Sequence, residues 1–127
     1  MGEPGGVPPI HESGFAAEVT LAEPVALTLR GNADSSHSHG LVTLVHRLHR
    51  WVVERRTTRT VVVDIRQLEF MNASSFNVFV DWLTLVAELP VDGRYVLRFR
   101  ANAKLLWQER SLHTLACFAS QLVELED

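Results

Sequence analysis

The alternation of apolar and polar residues changes period several times along the chain, and each change marks an element. Val25, Leu27 and Leu29 alternate with Ala26, Thr28 and Arg30, the period of a strand with one face buried. Phe15 to Leu21 alternates more loosely, and Glu23-Pro24 makes a short turn, so these two segments are predicted to form an N-terminal hairpin. After a polar loop from Gly31 to Gly40, Leu41, Leu44, Val45, Leu48 and Val52 recur at spacings of three and four, one face of a helix. Arg50, Arg55 and Arg56 crowd its last turns, where cations suit the carbonyl end of the dipole. The β-branched run from Thr60 to Ile65 does not alternate, which predicts a central strand buried on both faces.

A second helix is predicted over residues 74–89, capped by Asn72 and stopped by Pro90. Beyond the Asp92-Gly93 turn, Tyr95, Leu97 and Phe99 alternate with Val96, Arg98 and Arg100 as another half-buried strand. Asn102 opens a third helical stretch through about Ala119, with a break expected near Ser111, and Leu122 to Leu125 is a short last strand. Strands alternating with helices of this length predict an α/β fold. The sheet is expected to be mostly parallel, with an N-terminal hairpin and helices packed on it.

Composition sharpens this outline in a few places. Met1 to Gly14 holds Gly2, Pro4, Gly5, Gly6, Pro8, Pro9 and Gly14, too many breakers for regular structure. We therefore read residues 1–14 as a flexible leader and 15–127 as one domain, a length that supports a single core. Apolar residues make up 46% of the chain, ample for that core, and the net charge of −3 gives no pull towards nucleic acid or an anionic membrane. No apolar run approaches the roughly 20 residues of a bilayer span, and the start lacks the regions of a secretory signal. The lone Cys117 fits a reducing compartment, so a cytoplasmic protein is expected.

The segment Val61-Val62-Val63-Asp64-Ile65-Arg66-Gln67-Leu68-Glu69-Phe70-Met71-Asn72-Ala73-Ser74-Ser75-Phe76 resembles the signature of STAS domains, which include the bacterial anti-sigma factor antagonists. That signature is a hydrophobic strand, an Asp, a short loop, Phe-Met or Phe-Ile, then Asp-Ser-Ser/Thr-Gly-Leu opening a helix. Upstream, Gly31 and Asp34 match the family's Gly-x-x-Asp after its strand. Order and spacing agree from about Phe15 to Leu125. In the ungapped alignment Asn72 stands for the family's Asp, Ala73 for its phosphorylated Ser and Ser75 for its Gly, while Ser74 matches the neighbouring Ser/Thr.

The resemblance implies a non-enzymatic regulatory domain that docks a protein partner in a partner-switching pathway. It implies an ATPase-fold serine kinase of the anti-sigma class as partner, together with a serine phosphatase if a phosphosite is kept. The implied contact is Asn72, Ala73, Ser74, Ser75 and Phe76, with Ser74 and Ser75 as the remaining hydroxyls for phosphorylation. Physical reasoning points to the same place. Loops at the carboxyl ends of parallel strands form the natural binding edge, here residues 32–39 with Asp34 and Ser35, 72–75, and 100–103 with Asn102. A helix N-terminus offers unpaired N–H groups, and a phosphate there adds about −1.5 to −2 charge. The plain structural alternative is that Asn72, Ser74 and Ser75 only cap the helix.

Other chemistries fit less well. Surface histidines account for His37, His39, His46 and His49 better than a metal site does, because Arg47 and Arg50 lie beside the last two; neither metal nor cofactor is expected. Ser74 lacks the Gly-x-Ser-x-Gly elbow and any evident base, so an enzyme with a serine nucleophile is the remote reading. A constitutive scaffold, locked by Ala73 in the unmodified state, is the nearer competitor. Trp107-Gln108-Glu109-Arg110 is a further candidate contact or core patch. In the second helix Val78, Val80, Trp82, Leu83, Leu85, Val86 and Leu89 span an arc of roughly 220°, wider than a sheet-facing stripe needs. The surplus near Trp82 or Val80 is expected to pack on a neighbouring helix, or on a partner or second copy in a homo-oligomer.

Overall fold

The computed structural model describes residues 7–126. Strands β1 (Ile10–Glu12), β2 (Phe15–Thr20), β3 (Val25–Ala33), β4 (Thr60–Met71), β5 (Val96–Arg100) and β6 (Val123–Glu126) form one sheet in chain order. The β1–β2 and β2–β3 pairs are antiparallel, and the β3–β4, β4–β5 and β5–β6 pairs are parallel. The sheet is thus mixed. The predicted hairpin is present as β2 and β3, and a third antiparallel strand precedes it.

Helices α1 (Ser38–Arg55), α2 (Ala73–Ala87) and α3 (Leu106–Phe118) form the three crossovers. The parallel strands are added in one direction, so the right-handed rule places all three helices on the same face. Burial agrees. Leu27, Val61, Val63, Leu97 and Phe99 belong to one core with Leu48, Phe79, Trp82, Leu112 and Leu115, while Thr28, Asp64, Arg98 and Glu124 at alternate positions remain at least partly exposed. The uncovered face carries cross-strand ion pairs, among them Arg30 with Glu18 and Arg98 with Glu124.

Several boundaries differ from the reading of the sequence, each for a physical reason. Residues 7–14 of the expected leader include β1, because a bend at Gly14 (φ +78°) lets Ile10–Glu12 pair back onto Phe15–Ala17; residues 1–6 lie outside the described residues. In the run Thr60–Ile65, Val61, Val62, Val63 and Ile65 are buried, so both faces are shielded as expected, but by different neighbours. Val62 is buried at 5% exposure but stands outside the core, between Ala26 and Arg98 of the adjoining strands. The polar loop is shorter than expected, since β3 continues to Ala33 and Ser35–His37 forms a 3-10 turn leading into α1. Asn102 does not open α3, which starts at Leu106 and runs unbroken past Ser111.

Most of the wide apolar arc of α2 is used within the chain, with Leu85 left half-buried outside the core. Val78, Phe79, Trp82, Leu83 and Val86 are buried, and the half-buried Val80 and Leu89 pack on the same core. At the amino end of the sheet Trp82 also has polar work. Its indole Nε1–H donates to Tyr95 Oη at 2.7 Å, and Tyr95 Oη lies 2.6 Å from His49 Nδ1. An indole nitrogen only donates, so Tyr95 Oη accepts from Trp82, and its own O–H is satisfied by donating to Nδ1 of a neutral His49 that carries its proton on Nε2. Burial, with His46 nearby, holds the His49 pKa below its usual value against the opposing pull of Glu88, and burial pushes the Tyr95 hydroxyl well up.

The carboxyl end of β4 is built differently. β5 pairs with β4 only from Thr60 to Asp64. Beyond that point β4 takes two register shifts against β3, and its buried positions, Ile65, Leu68 and Met71, come every third residue instead of every second. Among the described residues no strand meets the carbonyls on the β5 side, and side chains take its place. Gln108, with no exposed surface, donates through Nε2 to Ile65 O (2.7 Å) and Leu68 O (2.9 Å). Asn102 Nδ2 donates to Arg66 O and Trp107 Nε1 to Glu69 O. Buried carbonyls need partners, and Gln108 satisfies the two buried ones, Ile65 O and Leu68 O, while Asn102 and Trp107 bond the two at the surface.

Candidate functional site: the corner between β4 and α2

Asn72 ends β4 and starts α2. Its backbone N–H donates to Ala33 O at 2.9 Å, which joins the ends of β3 and β4. Its side-chain Oδ1 accepts from Ser75 N at 3.0 Å and from Ser74 Oγ at 3.2 Å, the expected N-cap. Phe76 N–H then donates to Asn72 O, and the Phe76 ring sits edge-on to Phe79 at 5.7 Å, so the first turn is fixed on both sides.

The two serines of this turn have opposite environments. Ser75 is fully buried, and its Oγ donates to Asp34 O at 2.8 Å, a link between the ends of two strands. Ser74 and Ala73 are exposed. The only hydrogen bond found for Ser74 Oγ among the described residues goes to Asn72, and no imidazole bonds to either serine.

The neighbouring loop completes the corner. Asp34 Oδ1 accepts from the Ser36 backbone N–H at 2.9 Å and from the Ser36 hydroxyl, and these bonds lower the exposed carboxyl's pKa. Ser35 is exposed beside it. His37 is buried, stacked 4.5 Å from the Phe15 ring, and its Nδ1 accepts from Asp34 N–H at 3.1 Å. That bond leaves the imidazole proton on Nε2, which faces Glu12 Oε1 at 3.2 Å and ties β1 to the loop. Gly31 has a backbone role. With φ +91° it lets Gly14 O approach so closely that a Cβ at 31 would lie 2.1 Å from that oxygen, and Asn32 N–H bonds the same carbonyl.

Of the residues singled out in the sequence, Asp34, Ser35 and Asn72 to Phe76 are brought together. Asn102 is not part of that group. Its polar atoms are spent on Arg66 O, Lys104 N and Gln108 Oε1, so it serves the β4 clamp and reaches the corner only through the strand. A shallow groove of about 910 Å³ runs beside it, lined by Arg30, Asn32, Arg66, Gln67, Glu69 and Asn102. Gln108 was visible in the sequence as part of a contact patch, yet its clamp role was not. The usable signal was its position four and seven residues before Leu112 and Leu115, a polar side chain on the buried stripe of α3.

The corner is therefore a capped turn whose exposed residues are Ala73 and Ser74. Phe70, 49% exposed, stands just before it on β4. Among the described residues no three His, Cys, Asp or Glu side chains gather as a metal site, and no helix is long and apolar enough to cross a membrane. No family model matches the chain, and no curated protein is significantly similar to it in sequence.

Proposed function

We propose that this chain is a non-enzymatic regulatory domain of the STAS type that docks a protein partner through the corner Asn72–Phe76. The observation that carries the reading is the division of labour in that turn. Asn72 and Ser75 are consumed in fixing it, while Ala73 and Ser74 are left outward at the carboxyl edge of the parallel strands. A surface already held in its bound shape loses little conformational entropy on association. The sheet order, with antiparallel strands leading into parallel ones and helices on one face, supports the same reading alongside the resemblance of residues 61–76.

The partner that fits is an ATPase-fold serine kinase, with Ser74 as the acceptor hydroxyl. Ala73 has none, and the Ser75 hydroxyl is committed to Asp34 O. A phosphate on Ser74 would meet the amino end of α2 and place about −1.5 to −2 charge in the contact. The test is the whole chain incubated with such a kinase and ATP, followed by mass spectrometry and titration calorimetry. Phosphate on Ser74, absent in Ser74→Ala, and binding weakened at least tenfold in Ser74→Glu are the expected results. Binding by that kinase with no phosphate on Ser74 and full affinity in Ala73→Glu and Ser74→Glu would remove the corner from the contact.

The second reading, a constitutive scaffold, is favoured by Ala73 itself. It predicts binding that is lost in Ala73→Glu and Ser74→Glu while no serine takes up phosphate.

A further inference from the structure

We propose that the outer edge of β6 accepts an extended, basic strand of a partner protein, a contact separate from the β4–α2 corner. The sheet order gives β6 a single neighbour, β5, among the described residues. Leu97 N–H donates to Leu122 O, so the backbone groups of Leu122, Glu124 and Glu126 turn towards β5. Strand alternation then aims the N–H and C=O groups of Val123 and Leu125 outward, two donors and two acceptors in register.

The side chains state which strand fits. On the uncovered face Arg98 Nε and Nη2 both reach Glu124 Oε1 at 3.0 Å, and Arg100 Nε donates to Glu126 Oε1. In each pair the arginine engages one carboxylate oxygen. Glu124 Oε2 and Glu126 Oε2 have no hydrogen-bond partner among the described residues, and both side chains are exposed on the strand that ends the sheet. On the other face Leu125 is 49% exposed next to the buried Val123. An incoming strand that alternates lysine or arginine with an apolar residue sets cations against the free oxygens and an apolar side chain against Leu125. Opposite charges across neighbouring strands are favourable and like charges unfavourable. That rule disfavours a second copy of β6, which would set Glu124 and Glu126 against glutamates. Each glutamate keeps one oxygen beyond its arginine pair, so the edge disfavours its own copy and favours a basic partner.

The probe is a capped six-residue peptide of alternating lysine and valine, titrated into the full chain and followed by NMR and amide hydrogen exchange. Expected is at least tenfold slower exchange at Val123 and Leu125 on saturation. Affinity should fall at least tenfold in the Glu124→Gln, Glu126→Gln variant, and more when the peptide's inward amides are N-methylated. Unchanged exchange at those two amides would overturn the proposal, as would equal binding of the N-methylated peptide, which would be charge attraction alone. Protection of both amides in a concentration-dependent dimer of the free chain would assign the edge to a second copy, and overturn it too. None of these readings depends on Ser74, so the corner stands or falls separately.

Discussion

β4 is one strand held in two ways. From Thr60 to Asp64 it lies between β3 and β5 in regular parallel register, closed at its amino end by the Trp82–Tyr95–His49 relay. From Ile65 to Met71 it keeps β3 through two register shifts and exchanges β5 for Gln108, Asn102 and Trp107. A strand ladder spreads its cohesion over many equivalent bonds. A side-chain clamp concentrates it in a few, and those few residues set where the Asn72 corner points.

The largest break is expected opposite the irregular half, at Gly31→Ala. The new methyl would meet Gly14 O in a backbone already at φ +91°, and neither chain can give way without moving β1 or β3. We expect a loss of about 3 kcal/mol or more in urea unfolding. Gly14→Ala is the internal standard. Its φ is also positive, but nothing lies within 4 Å of the added carbon, so only the backbone preference is lost, about 1 kcal/mol. Equal effects at the two glycines would mean that the close approach is not what Gly31 serves.

Gln108→Leu comes next. It keeps the volume and strands Ile65 O, Leu68 O and the Asn102 N–H, for an expected cost of about 2–4 kcal/mol. Exchange measured on the same variant sharpens the contrast. The amides of residues 65–71 should lose protection while those of 61–64 keep theirs. Uniform loss along β4 would show the strand to be one cooperative unit, with no separate clamp.

The regular half was legible from the chain and the irregular half was not. Val61 to Ile65, Leu97 and Phe99 announce strands by composition and alternation, because a ladder imposes a period of two. Past Ile65 the apolar residues Leu68 and Met71 follow a spacing set by the two bulges, which no local rule supplies. The end of that strand therefore reads as a loop. The corner was legible through Asn72, since an N-cap is a local device, whereas the difference between Ser74 and Ser75 depends on Asp34 O, 41 positions away in sequence. That Val62 stands on the face without helices was hidden for a related reason. Three consecutive valines look alike, and only the side of the helices distinguishes Val62 from its neighbours.

The two serines give a smaller effect with a clear sign. Ser75→Ala removes the buried bond to Asp34 O and is expected to cost about 1 kcal/mol, while Ser74→Ala should stay within about 0.5 kcal/mol. Calorimetric unfolding of both variants checks this. A reversed order would mean that the corner is tied together through its exposed hydroxyl, and Ser74 would no longer be free for a partner.

The smallest effect concerns the amino end and tests whether its relay is as local as the clamp. Neutral His49 accepts the Tyr95 O–H hydrogen bond at Nδ1, so protonation removes that acceptor and leaves the Tyr95 O–H without this partner. The folded-state pKa lies below the ordinary histidine value of 6.5. A depressed histidine pKa means that the unfolded chain binds the proton more tightly than the native one. The contribution of neutral His49 is therefore complete above about pH 6.5 and declines as pH falls through the lower, folded-state pKa. The slope must stay under about 1.4 kcal/mol per pH unit, the value for one whole proton. In His49→Gln this part of the pH dependence should vanish, which urea titrations between pH 5 and 8, read against the parent chain, would measure. Acid should loosen the amides around Val96 and Thr60 before those of residues 65–71, because the relay and the clamp share no residue. Simultaneous loosening at both ends would join the two halves of β4 into a single mechanical element.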